Sequence, residues 1–447
     1  MRQNTQALFF KATFVLLLLC ALLFASLPIS AVEPIPSTDG AASVYLWNAE
    51  HDAVLAKKTS NAKIYPASMT KMMTGLVAIE LVGSRLDEKV TLTDEMLADK
   101  KGTSMQLVVG ETVSFRDLLY GAVCGGFNDA ANALAVASAG NMAAFVNRMN
   151  EKARELGALD THYTNPTGWH SESMVTTLDD TAIIAKAAMK NELYVTLSSA
   201  VSYTVEKTNK SEAFTVHNRN GLIGSHYAYG YYNKRAKGLI AGMTDEGGYC
   251  VATFVEYDGL TFLCIVMGGE EQNGVIRSYD IANSLLNHAI YYYGNIDVID
   301  KGKYVAEIPV RLALSTEDDG SYMLDCSVPC DVSVFAPYDS ASLESIELRP
   351  YFYKDELTAP IKKGEVVGGV DIFVDGILRG NADLCASEDV EANGFLLAME
   401  TAKEIFTSRG FFIFLGAFVI LFCVYFYKVE LGALRKKNKK IRYDRLY

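Results

Sequence analysis

The feature that most constrains this chain is a stretch of 18 residues without a charge, Gly410–Tyr427 (GFFIFLGAFVILFCVYFY), followed by a basic tail. At 1.5 Å per residue, that length is about the minimum for a helix to cross the hydrocarbon core of a bilayer. A buried core helix is the alternative for such a run, but it would not lead into RKKNKK. Residues 428–447 hold eight bases against two acids, as the positive-inside rule expects of a cytoplasmic tail. The other long apolar run, Ala12–Ser26, follows Arg2 and Lys11 and leads into Leu27-Pro-Ile-Ser-Ala31. A basic start, an apolar middle and a small residue at the end read as a secretory signal over residues 1–31, with an uncleaved anchor as the alternative. The body between the two runs is therefore expected outside the cytoplasm, tethered by its C-terminus.

That body is acidic. The 447-residue chain has a net charge of -12, and the 416 residues between the basic ends hold 31 bases and 51 acids. Nucleic acid is excluded as a partner, because its binding needs clustered Lys and Arg. With 50% hydrophobic and 21% charged residues, the chain can bury cores in two or three domains. Two of the eight cysteines, Cys20 and Cys423, lie in the apolar runs. Among the rest, Cys326 and Cys330 are spaced so that they could pair, but there is no dense disulfide framework. No histidine stands at zinc-ligand spacing, and no metal or organic cofactor is implied.

The hydrophobic pattern divides the body. Ser43–Asn48 and Ala53–Lys57 flank a polar turn and predict a hairpin. From Ser68 to about Leu197 the pattern is mostly helical, as at Phe145, Met149, Ala153 and Leu156. Strands return at Gly238–Gly242, Tyr249–Tyr257 and Leu260–Met267, with a helix over about Gly274–Tyr292. Strands at both ends of a helical stretch predict an α+β domain, residues 41–292, whose first and last segments share one antiparallel sheet flanked by helices. Short alternating segments (Tyr304–Val310, Val332–Ala336, Val366–Val374) then predict a small all-β domain over 296–390. An amphipathic helix at 392–408, a membrane helix at 410–427 and a cytoplasmic tail at 428–447 complete the expected order.

Two Ser-x-x-Lys pairs occur, Ser60/Lys63 and Ser68/Lys71. The first lies in polar sequence before Pro66, which restricts helix. The second opens a helical pattern, and its spacing puts both side chains on one face. A serine at a buried helix start has backbone N–H groups for an oxyanion, and a desolvated lysine one turn on can serve as its base. On this segment alone, a capping serine followed by a solvated lysine explains the pattern as well.

The segment Tyr65-Pro-Ala-Ser-Met-Thr-Lys-Met-Met-Thr74 resembles the active-site helix of the low-molecular-mass penicillin-binding proteins, the D-alanyl-D-alanine carboxypeptidases. Further matching blocks follow in order: Leu118–Gly121, Asn128–Ala131, Met149–Ala153, Leu156–Thr161 with Asn165–Gly168, and Gly238 to Cys250. The resemblance spans residues 41–290 and implies a serine β-lactamase/transpeptidase-like fold. It implies Ser68 as nucleophile, Lys71 as general base, and substrate contacts from Asn128 and Gly242. The amides of Ser68 and Met243 would hold the oxyanion.

Two of the family's three motifs depart from its pattern. Where Ser-x-Asn is expected the chain reads Gly126-Phe127-Asn128, and where Lys-Thr-Gly is expected it reads Ile240-Ala241-Gly242. The hydroxyl that relays a proton and the cation that attracts a substrate carboxylate are both missing from those positions. Lys234 and Arg235 lie close enough in sequence to be considered as replacements, whereas Lys237 is expected on the opposite face of its strand. Cys124 reads as a buried thiol and Asp129 as a residue orienting the Asn128 loop. His162, His170 and His217 read as structural or exposed.

The implied activity is removal of terminal D-alanine from peptidoglycan stem peptides ending in D-Ala-D-Ala, with β-lactams as covalent ligands. One alternative is a catalytically impaired homologue that binds cell-wall peptide or a partner. Another is acyl transfer on a ligand lacking a terminal carboxylate.

Overall fold

The computed structural model describes residues 35–59, 63–99, 101–314, 321–338 and 346–443, with side chains described up to residue 435. The expected signal segment and Ser60 of the first Ser-x-x-Lys pair lie outside the described residues. The chain divides into two compact units, one reaching to Gly294 and taking in Pro337 and Tyr338, the other running from Asn295 to Ala336 and from Ile346 onward.

The first unit is the expected α+β arrangement. Its strands β1 (Ala41–Asn48) and β2 (Ala53–Lys58) form the predicted hairpin. Helices α1 (Thr70–Val82), α2 (Asn128–Ala139), α3 (Met142–Leu156), α4 (Leu178–Met189) and α5 (Glu192–Ser199) follow. Then come β3 (Ala236–Thr244), β4 (Gly248–Tyr257), β5 (Leu260–Gly269) and α6 (Arg277–Tyr292). The sheet order is β2-β1-β5-β4-β3, antiparallel throughout. The first and last segments thus share one sheet, and β3 is left as an edge.

Local sequence explains these elements. In α3, Phe145, Met149 and Ala153 form one buried stripe, Asn141 accepts from the Ala144 amide at the start, and Gly157 ends the helix in a left-handed conformation. Helix α1 differs: every residue from Thr70 to Ala78 is buried, which marks it as the central helix of its layer rather than a surface one. Helix α6 starts at Arg277, three residues later than the pattern predicts, because Val275 and Ile276 pair with Glu271 and Gln272 in a small ladder.

The second unit contains a six-stranded sheet. In chain order its strands are β6 (Tyr304–Arg311), β7 (Tyr322–Ser327), β8 (Ile346–Phe352), β9 (Leu357–Thr358), β10 (Val366–Val374) and β11 (Ile377–Ala386). The spatial order is β8-β10-β11-β7-β6-β9, with a core that includes Ile308, Leu324, Val370, Ile372 and Leu384. Cys326 is buried in this core while Cys330 is exposed, and both are free thiols, so the pairing their spacing allows is not formed. Helix α7 (Gly394–Thr407) is capped by Asn393 and buries none of its residues. Helix α8 (Arg409–Tyr443) includes a stretch, Arg409–Arg435, with mean hydropathy 2.4 and none of its apolar window buried. At 1.5 Å per residue that stretch is about 40 Å long, enough to cross a bilayer core.

Candidate active site

The site lies where the start of α1, the turn before α2 and the edge strand β3 converge on a cavity of about 320 Å³. Ser68 does not begin the α-helix, as its position predicts, but occupies a single 3₁₀ turn, Ala67–Met69, with α1 starting at Thr70. The reason lies one residue upstream. Ala67 has φ +45°, a left-handed conformation that costs a residue with a Cβ about 1–2 kcal/mol, and the chain becomes regularly helical only beyond it. Strain held next to a reactive group is a recurring feature of functional sites.

Lys71 is 1% exposed. Its Nζ stands 3.4 Å from Ser68 Oγ and donates to the Thr167 carbonyl at 2.7 Å. That carbonyl is fixed by Asn165, whose Oδ1 accepts from the Thr167 amide and hydroxyl and from the Gly168 amide. Burial, and secondarily the charge of Arg219, lower the Lys71 pKa to about 7. An amine neutral just above pH 7 can accept the proton of a neighbouring hydroxyl, which an ordinary surface lysine cannot do.

Across the cavity, Asn128 receives its place from two bonds: its amide donates to Thr103 O and its Nδ2 to Lys101 O, each at 2.8 Å. Asp129 holds the neighbouring 104–107 segment, accepting from Ser104 Oγ and the amides of Met105 and Leu107. Gly126 has φ +66°, and it lines the cavity without a hydroxyl. The Cys124 thiol is buried, donates to Ala200 O and is pushed up to about 12 by burial, so it is unreactive as expected.

On β3, the three motif positions behave differently. Ala241, Gly242 and Met243 line the cavity. Gly242 is required by close approach, since a Cβ there would stand 2.3 Å from Ser68 Oγ. Ile240 is 2% exposed and packs in the hydrophobic core. Lys234 and Arg235 do not supply the missing cation. Arg235 lies over the Tyr257 ring, and Lys237, on the outer face as expected, pairs with Glu256 at 2.6 Å.

The Lys or Arg side chain that does line the cavity, among the described residues, is Arg219. Sequence reasoning missed it. Its only signal was position, a lone arginine between Asn218 and Asn220. His170, read from sequence as structural or exposed, also lines the cavity. It lies edge-on to Tyr65 with its Nδ1 3.9 Å from Glu246 Oε2. His217 is stacked on His226, away from the cavity lining, and His162 is exposed.

A mixed helix–sheet domain with a serine–lysine pair at the head of its central helix, followed by an all-β domain, is the layout of a serine hydrolase of the low-molecular-mass penicillin-binding type. The chain belongs to the D-alanyl-D-alanine carboxypeptidase family, whose profile matches residues 31–271. Residues 293–392 match the penicillin-binding protein 5 C-terminal domain. The chain is 28% identical to the D-alanyl-D-alanine carboxypeptidase DacF of Bacillus subtilis over 363 residues, covering 80% of this chain and 87% of that one. It is 27% identical to DacC of Escherichia coli, over 83% and 90% of the two chains. The solved structure of penicillin binding protein 5 from Haemophilus influenzae superposes with a TM-score of 0.56 at 25% identity, over 80% of this chain and 99% of that one.

Proposed function

We propose that this chain is a membrane-anchored carboxypeptidase of the cell wall, which removes the terminal D-alanine of peptidoglycan stem peptides through an acyl-enzyme on Ser68. The observation that carries this reading is the approach of a buried, near-neutral Lys71 to Ser68 Oγ. Ser68 Oγ attacks the carbonyl carbon of the penultimate D-alanine while Lys71 Nζ takes the hydroxyl proton. The amides of Ser68 and Met243 hold the oxyanion, and Asn128 contacts the peptide. The C–N bond breaks, the leaving D-alanine amine takes up a proton, and water hydrolyses the ester to free Ser68.

Arg219 supports a substrate with a terminal carboxylate over one lacking it, since it restores to the cavity the charge that Ile240 does not provide. The relatives named D-alanyl-D-alanine carboxypeptidase point the same way. Helix α8 would hold the protein in the membrane. The exposed apolar residues of α7, Phe395, Met399 and Phe406, suit a helix approaching a bilayer. A second reading, a homologue that binds stem peptide with little turnover, is favoured by one observation: no hydroxyl stands at Gly126, and positioned proton transfer contributes about 10²–10⁴ in rate.

The test is intact-mass analysis of the full chain in detergent after incubation with a fluorescent penicillin, with Ser68→Ala as control. The expected result is one adduct, absent in the variant, followed by D-alanine release from a stem peptide. An adduct without release would select the binding homologue, and no adduct at high probe concentration would reject the acyl-enzyme.

A further inference from the structure

The charges that line the cavity are segregated along β3. At one end, a Cβ on Gly126 would contact Arg219 Cγ at 3.4 Å and Ala241 O at 4.0 Å, so the arginine and Ala241 both adjoin this glycine. One residue further along the strand, Gly242 passes against Ser68 Oγ. Asp245 and Glu246 follow three and four residues beyond Gly242, and both line the cavity. Three strand steps from Ala241 to Thr244, at about 3.3 Å each, put their turn roughly 10 Å from the arginine end. The cavity thus has a cation at one end, the nucleophile between, and two carboxylates at the other.

That acidic turn is held in place. Asp245–Gly247 joins β3 to β4 and is closed by the Thr244–Gly248 pair. Thr244 Oγ1 accepts from the Gly247 amide at 3.0 Å. Gly247 packs closely on the segment leading to Ser68, since a Cβ there would stand 3.0 Å from Ala67 Cβ and 3.3 Å from Tyr65 O. The two carboxylate side chains are exposed, and among the described residues no Lys or Arg pairs with either. The contact of Glu246 is with His170 Nδ1 at 3.9 Å, beyond hydrogen-bond distance, and that buried nitrogen makes no hydrogen bond.

Beside His170, Trp169 lines the cavity and is 40% exposed. Its amide donates to Thr167 Oγ1 at 3.0 Å, and its carbonyl accepts from Asn165 Nδ2 at 2.9 Å. The ring backs on Gly102, where a Cβ would stand 3.2 Å from Trp169 Cζ3. An ammonium group has three N–H donors and no acceptor, and it is attracted to the face of an indole. Two carboxylates without a basic partner and a partly exposed tryptophan are the surroundings it requires.

We propose that Asp245 and Glu246, with Trp169, are specificity-determining residues that bind a primary ammonium on the side chain preceding the penultimate D-alanine. This rests on the carboxypeptidase reading, which sets the direction of the peptide. With the terminal carboxylate toward Arg219 and the reacting carbonyl between Ser68 and the Met243 amide, the upstream chain continues along β3 toward Thr244 and the acidic turn. Acylating the amine removes its charge. A stem whose amine has been consumed by an acyl-transfer reaction therefore loses this contact, and the free-amine stem is the preferred substrate.

The test measures binding by calorimetry to the full chain in detergent carrying Ser68→Ala, so that turnover is not needed. The probes are Nα-acetyl-L-Lys-D-Ala-D-Ala, its ε-acetylated form, and the counterpart with norleucine for lysine, which separates loss of charge from added bulk. The free amine is expected to bind at least about fivefold more tightly than either uncharged probe, as partly exposed ion pairs and a cation–π contact together would give. Raising the salt concentration should shrink that preference. Asp245→Asn combined with Glu246→Gln should erase it by weakening the amine probe, and Trp169→Leu should cut it at least about twofold. If the double variant does not fold, Glu246→Lys carries the test and should reverse the preference.

The proposal is overturned if the parent binds the lysine and norleucine peptides equally well, a result that leaves the carboxypeptidase reading intact. It is also overturned if the preference survives neutralisation of both carboxylates. Binding of none of the three peptides would reject the stem-peptide reading and the subsite together.

Discussion

The start of α1 and the edge strand β3 form facing walls of one cavity, yet the chain treats them differently. At α1 the side chains themselves are kept: Ser68 and Lys71 stand 3.4 Å apart, and a buried network fixes Thr167 O against the amine. On β3 the side chains have gone, with Ile240 in the core, while the backbone at Gly242 still passes against Ser68. The difference shows what each wall contributes. A nucleophile and its base must be particular side chains, whereas an oxyanion site needs only a backbone amide and the absence of a Cβ. Charge can be delivered from any element that reaches the cavity, and the arginine that lines it here is Arg219.

The largest break in this comparison should come from the smallest change. Gly242→Ala puts a methyl group into the space of Ser68 Oγ, so serine or strand must move. Loss of a single oxyanion donor costs about 10²–10³ in rate, and the second-order rate of penicillin acylation is expected to fall by at least about 10²-fold with little change in thermal stability. A rate within tenfold of the parent would show that β3 does not form part of the reacting site.

Restoring the family residue on β3 should have a smaller effect, and in the other quantity. Ile240→Lys places an amine in the apolar core, at a position 2% exposed. The expected outcome is destabilisation by about 2–4 kcal/mol, the scale for burying an unpaired charge or polar group, read from urea unfolding, with no gain in acylation rate. A variant that is as stable as the parent and faster would mean that the strand still has room for its cation and that Arg219 is not a replacement for it.

The same contrast explains what could be read from the sequence. The β1–β2 hairpin, the strands β3 to β5 and the stripe of α3 are written in short-range periodicity, and the folded chain has them where the pattern puts them. The Ser68–Lys71 spacing is also local. The 3₁₀ turn at Ser68 was not legible, because it depends on a left-handed Ala67 that no propensity favours. Nor was Arg219, which meets Gly126 and Lys71 only after segments about 90 and 150 residues apart in sequence fold together. The nearby bases Lys234 and Arg235 stand closer to the vacant motif in sequence, but neither lines the cavity, and the Arg235 guanidinium lies over the Tyr257 ring.

The central claim is that burial makes Lys71 the base for Ser68, and the most direct measurement is the pH dependence of Ser68 acylation by a penicillin between pH 5 and 10. A lysine whose pKa is lowered is protonated, and unable to accept a proton, below that value. It becomes competent above it. The account predicts a rate that rises with pH around a midpoint near 7 and then levels off. A midpoint near the ordinary lysine value of about 10.4, or a rate that does not change with pH, would contradict it.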